Sequence, residues 1–217
     1  MKKRAFLIIG LALFLATKVY SYDDGDFQIW NTDSEELKIN KDSKLVFEEE
    51  FRWGGNATEF FYQHYDVGLF HNLEKWLNIG GGYRHVYELK KGKFEPENEP
   101  YVTANLLWDI EGLKLEDRSR LEYRHFDYQD DSWRYRNKAT VKLPWKFTKL
   151  EFQPYFADEI FLEFDGFELT RNRFYSGMGF ALTKNVKADI YYMLQSTKSS
   201  SIWTDANVVG TKFKFAF

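Results

Sequence analysis

The chain finishes on a strand with two unlike faces. In the closing run GTKFKFAF, Phe213, Phe215 and Phe217 fall on one side, and Lys212, Lys214 and Ala216 on the other. A period of two is what a strand with different surroundings on its two faces requires. Bacterial outer-membrane barrels usually finish this way, because a barrel in lipid cannot leave an unpaired edge. Such an ending is expected to engage the barrel-assembly machinery through the strand that closes at Phe217, with outer-membrane lipid around the folded wall.

The other end predicts export. MKKRAFLIIGLALFLATKVYS opens with Lys2, Lys3 and Arg4, continues with an apolar run from Ala5 to Ala16, and ends with Val19 and Ser21 at signal-peptidase spacing. That run is too short to span a bilayer as a helix. The expectation is a cleaved signal peptide over 1–21 and one barrel domain over 22–217. The chain has no cysteine, so the disulfides that staple many small secreted domains are absent. Aromatic residues make up 19% and charged residues 29%. That pairing suits rings facing lipid and its interfaces, with charges facing a wet lumen and the loops. A net charge of −3 supplies no field for nucleic acid.

Turn signals divide the rest into eleven strand-like segments, from Asp26–Ile39 to Trp203–Phe217. The fold class predicted is all-β: a single antiparallel up-and-down transmembrane β-barrel of 10–12 strands with a charged lumen. Ten segments from Lys44 onward would close with both ends in the periplasm, whereas Asp26–Ile39 makes an odd count, and bacterial single-chain barrels have even counts. NKDS, NLEK, EG, PWKFT and TKN read as short turns; GGNAT, LKKGKFEPEN, YQDD, LEFDGFEL and TKSSSI read as the longer or more polar loops of the opposite rim.

A soluble lipocalin-like barrel would alternate as well, with its apolar face inward. Three features favour the membrane: the Phe ending, an interior too wide for apolar filling at ten or more strands, and the placement of tryptophan. Trp76, Trp108 and Trp145 lie near the short turns, and Trp53, Trp133 and Trp203 near the longer loops, as two interfacial girdles would. Residues such as Tyr65, Val67, Leu69, Val102, Phe174, Met178, Ile190 and Tyr192 fall on the lipid face. Glu49 and Asp117 break that face, and a β-bulge near either would turn it inward.

The opposite face carries charge. Arg118, Arg120, Glu122 and Arg124 share it on one segment, Arg134, Arg136 and Lys138 on the next, and Arg171 and Arg173 on a later one. With YQDD as the tip, Glu122 is expected level with Arg136. Earlier segments add Glu48, expected opposite His64, which is expected opposite Arg84, with Glu50 and Asp66 one pleat away. Three readings are open. The charges form a salt-bridge network that fills and stiffens a narrow lumen. They guide a small anionic solute, since guanidinium recognises carboxylate and phosphate. Or His64 with Glu48 or Asp66 forms a hydrolytic site. No serine motif, metal-ligand spacing or phosphate loop accompanies them, so no catalytic residue, cofactor or metal is assigned and the chain is not expected to be an enzyme. Gly80–Gly82 sits inside a segment, where glycines permit a bend or a close approach.

Several stretches resemble one family. QIW at Gln28–Trp30, EEEFR at Glu48–Arg52, YQHYDVGL at Tyr62–Leu69, DRSRLEYR at Asp117–Arg124, WRYRN at Trp133–Asn137, QPYFADEIF at Gln153–Phe161 and RNRFYSGMGF at Arg171–Phe180 are similar to the outer-membrane barrels grouped as domain-of-unknown-function family 2490. The resemblance implies the outer membrane of a Gram-negative bacterium and implies no activity.

Overall fold

The computed structural model describes residues 24–199 and 201–217; the leader expected over 1–21 lies outside the described residues. Eleven strands follow one another: β1 (Asp26–Lys38), β2 (Ser43–Gly54), β3 (Glu59–Glu74), β4 (Leu77–Lys90), β5 (Lys93–Ile110), β6 (Leu113–Phe126), β7 (Ser132–Lys142), β8 (Gln153–Glu163), β9 (Glu168–Ala181), β10 (Val186–Ser199) and β11 (Ile202–Ala216). No helix occurs among the described residues.

Each strand pairs antiparallel with its sequence neighbour, and β1 pairs with β11 to close the barrel. That closing seam is parallel, from Asp26↔Ala206 to Glu36↔Ala216. The expectation of an antiparallel barrel is corrected at this one seam. The reason is arithmetic. Every hairpin reverses the chain, so an odd number of strands leaves the first and last pointing the same way. The two ends therefore sit at opposite rims, and the even count is not needed for closure.

The rims also differ from expectation. LKKGKFEPEN is not a loop. β4 and β5 run through it and turn on Lys91 and Gly92 alone, both left-handed (φ 52° and 80°), as a tight hairpin turn requires. The longest connection is on the other rim, over 143–152, where PWKFT was expected to be short; a bridge between Phe147 and Phe152 folds it back on itself. Long loops are thus not gathered at one rim.

Alternation runs along the strands and slips where a ladder shifts, as between Arg52 and Trp53. Val102, Leu69, Ile190 and Phe174 stand exposed on the outside, with Trp76, Trp108 and Trp145 toward one rim and Trp133 and Trp203 toward the other. Glu49 and Asp117 also stay outside, because the ladders run unbroken past them; the shift in the β2–β3 pairing falls later, between Arg52 and Trp53. Asp117 is satisfied there by Asn137, whose Nδ2 donates at 2.9 Å from the neighbouring strand.

Inward glycines let aromatic rings lie flat on the wall. Gly68, Gly82 and Tyr101 sit side by side across β3, β4 and β5. A Cβ on Gly82 would stand 2.5 Å from Tyr101 Oη, so the close approach expected for the triple-glycine run is what it provides.

Candidate functional site

All fourteen residues assigned to the interior face it. Glu122, at 0% exposure, is the most buried charge of the set, and His64, Asp66, Arg84, Arg120, Arg134, Arg136 and Arg173 are also buried. Glu48, Glu50, Arg118 and Lys138 border an interior cavity. Arg124 and Arg171 lie beside Phe126 and Phe161 respectively.

A buried charge is costly unless it is paired and hydrogen-bonded. Most of these are. Glu122 accepts from Arg134 Nε at 2.6 Å and from Arg136 Nη1 at 2.8 Å. Arg134 Nη2 reaches Glu99 at 2.5 Å, and Arg84 Nε donates to Asp66 at 3.0 Å. Arg124 binds Glu97 with two nitrogens and Glu163 with a third at 3.1 Å. Tyr101 Oη donates to Asp66 at 2.7 Å.

Aromatic rings tie these pairs into a layer. Arg52 lies 3.7 Å from the ring centroids of both Trp30 and Tyr62. Arg173 reaches Trp30 at 4.9 Å, although β10 and β11 separate their strands, so this contact crosses the interior. Phe161 is met by Arg136, Arg173, Arg171 and Arg134 at 4.6 to 5.7 Å. Guanidinium planes stack on such faces and hold them. From Tyr62 through Arg52, Trp30, Arg173, Phe161, Arg134, Glu99, Arg84 and Asp66, contact is continuous and every member is buried.

On one side of this layer the interior opens into a cavity of about 350 Å³. Its wall reaches Glu36, Lys44, Glu116, Lys142 and Lys214, so it extends toward the rim where β1 and β11 end. Eleven Lys and Arg residues line it against seven Asp and Glu.

Three pairings differ from expectation, each by two residues. Glu48 stands opposite Asp66, not His64; Glu50 stands opposite His64. Asp66, not His64, stands opposite Arg84. Glu122 stands opposite Arg134, and Arg136 opposite Arg120. The causes are local. Turn geometry sets hairpin register, and both the β2–β3 and β3–β4 ladders shift near their tips. In the β6–β7 turn, Asp131 accepts from Phe126 N and moves the tip toward β6. His64 still meets Glu48, 3.6 Å from its Nε2, while its Nδ1 lies 3.1 Å from Tyr62 Oη.

The family model described as "Protein of unknown function (DUF2490)" matches residues 27–206, from β1 into β11. The chain belongs to this family. No curated protein and no solved structure matches it.

Glu97, Glu99, Glu159 and Glu163 are among the acids of the DUF2490 interior that sequence reasoning missed. Pro96 and Pro100 made the first two look like loop residues, since proline punctuates strands; the period-two run Glu95, Glu97, Glu99, Tyr101, Thr103 was the signal that could have found them. Among the described residues no three His, Asp or Glu side chains gather as a metal-ligand set.

Proposed function

We propose that this DUF2490 protein is an outer-membrane barrel whose interior is closed by its buried ion network and does not conduct. The observation that carries the reading is the inversion of polarity across the wall. Large apolar side chains such as Val102, Leu69 and Ile190 stand exposed outside, while Glu122, Glu159 and Arg136 are buried inside. Lipid accepts the first arrangement, and an interior of paired charges suits a transmembrane barrel. Two rims of exposed tryptophan support the same reading. Closure rests on the continuous layer around Phe161 and Trp30, which leaves a cavity rather than a through passage.

The narrow-pore reading draws on that cavity and its excess of cations. The hydrolase alternative would use His64 with Glu48 or Asp66, and His64→Ala would test it against lipid and peptide substrates. Flotation with lipid vesicles, followed by conductance in a planar bilayer under a salt gradient, tests the proposal. Vesicle-bound, silent protein is expected. Protein that stays out of the vesicles would overturn the membrane reading; steady anion-selective openings would overturn closure and make the arginine face a solute path.

A further inference from the structure

Strands β6 and β7 set like charges face to face on the inner wall. Arg118 stands opposite Lys138, and Arg120 opposite Arg136. Like charges directly opposite destabilise a sheet, and burial makes each uncompensated cation more costly. Two carboxylates serve this group by direct hydrogen bonds: Glu159 on β8, to which Arg118 Nη2 and Arg136 Nη2 each donate at 2.8 Å, and Glu122, to which Arg136 Nη1 donates at 2.8 Å.

Arg120 is left over. It is 6% exposed, and its Nε and Nη1 have no hydrogen-bond partner. Its closest carboxylates, Asp66 and Glu122, are each 3.9 Å away. Both are already engaged, by Arg84 and Tyr101 and by Arg134 and Arg136. The guanidinium is held flat, 3.9 Å from the centroid of the Tyr101 ring. Arg136 Nε is also unpartnered. Lys138 Nζ lies over Tyr175 at 3.7 Å, with no carboxylate within 4.0 Å among the described residues. All four cations border the cavity.

A buried donor without an acceptor is rare in a folded protein and calls for an explanation. From this quartet we infer that the cavity binds a small phosphoryl dianion, either inorganic phosphate or the phosphate of a small ester. Guanidinium forks match phosphate geometry. Two negative charges suit a quartet in which neither Arg120 nor Lys138 has a hydrogen-bonded carboxylate better than a single charge would. The inference rests on the proposed reading of a closed layer that leaves a cavity extending toward one rim, but not on conductance.

Calorimetric titration of the full-length chain in detergent tests it, with inorganic phosphate and then glycerol phosphate against chloride at matched ionic strength. Saturable binding is expected, and Arg120→Met is expected to weaken it at least tenfold. The variant's unfolding midpoint without phosphate should not fall, because methionine leaves no orphan donor. Lys138→Met is a second, independent variant and should weaken binding as well. Binding of inorganic phosphate supports a free-phosphate site; binding of the ester alone supports a phosphorylated solute. The inference is overturned if neither anion binds, or if both variants bind as tightly as the parent. Vesicle flotation of the same preparation scores the membrane reading separately, so the two failures are distinguishable.

Discussion

Glu159 Oε1 accepts from Arg136 Nη2 at 2.8 Å, and the same oxygen accepts from Arg118 Nη2 at 2.8 Å. Its other oxygen takes Tyr175 Oη at 2.9 Å. One carboxylate on β8 thus joins β6, β7 and β9. Removing one partner of a buried ion pair costs about 3–5 kcal/mol, because the remaining charges stay buried. Glu159→Gln is expected to destabilise the barrel by about that amount, read from the urea midpoint of refolded protein. A loss below about 1 kcal/mol would mean that water, not Glu159, balances these arginines.

Gly82 gives Tyr101 its place on the wall. Overpacking a close site costs about 1–3 kcal/mol, and Gly82→Ala is expected to fall in that range. Tyr101→Ala combined with Gly82→Ala should cost less than the sum of the two single changes, since the clash with the ring disappears and only that with the Val67 carbonyl oxygen, 2.5 Å away, remains. Strict additivity in a double-mutant cycle would sink this account.

The turn between β6 and β7 carries a pH response outside the strands. Tyr123 Oη donates to Asp131 at 2.5 Å, and His125 Nδ1 and Phe126 N lie 2.9 and 3.1 Å from its Oδ1. These bonds, Tyr123's first, hold the carboxyl at about 2 instead of 3.8. A lowered carboxyl value favours the closed turn above pH 3.8, and that contribution is lost as pH falls through about 2. The Trp133 ring, 5.1 Å from that of Tyr123, should report the opening as a fluorescence change in this acid window. In Asp131→Asn the change should be missing from the window; if it persists, another group causes it.

Asp117 and Asn137 share a hydrogen bond on the outer face. If lipid covers that face, replacing both with leucine removes an acid from an apolar solvent and leaves no lone partner. The double variant Asp117→Leu, Asn137→Leu is expected to be more stable in bilayers by about 1–3 kcal/mol. Lower stability in bilayers would argue against lipid contact at this site.

Faces were legible in the sequence, and registers were not. The alternation in DRSRLEYR and WRYRN placed Arg118, Arg120, Glu122, Arg134 and Arg136 on the inner wall, where they are. Their partners came out displaced by two, since a cap such as Asp131 on Phe126 N lies outside any periodic pattern. A displacement of two keeps every side chain on its face, and only an odd error flips it. This is why Glu48 kept its face while it was matched to the wrong neighbour. Glu99 and Glu159 stayed hidden for different reasons. The first sits among prolines, and the second between the apolar inward residues Ala157 and Phe161. The parallel seam follows from the count of strands, which pattern alone left open.

That seam gives β1 and β11 a standing no other strand has among the described residues. β1 runs parallel to β11 on one side and antiparallel to β2 on the other, so β2 and β11 run in opposite directions. Taking β1 away would leave ten staves whose new neighbours are already oriented for ordinary hairpin-style pairing. Only β11, at the other end, could likewise be withdrawn without breaking the chain in its middle. An even barrel is therefore contained within the odd one, and the added stave is one of the two terminal strands, of which β1 brings Trp30 into the interior.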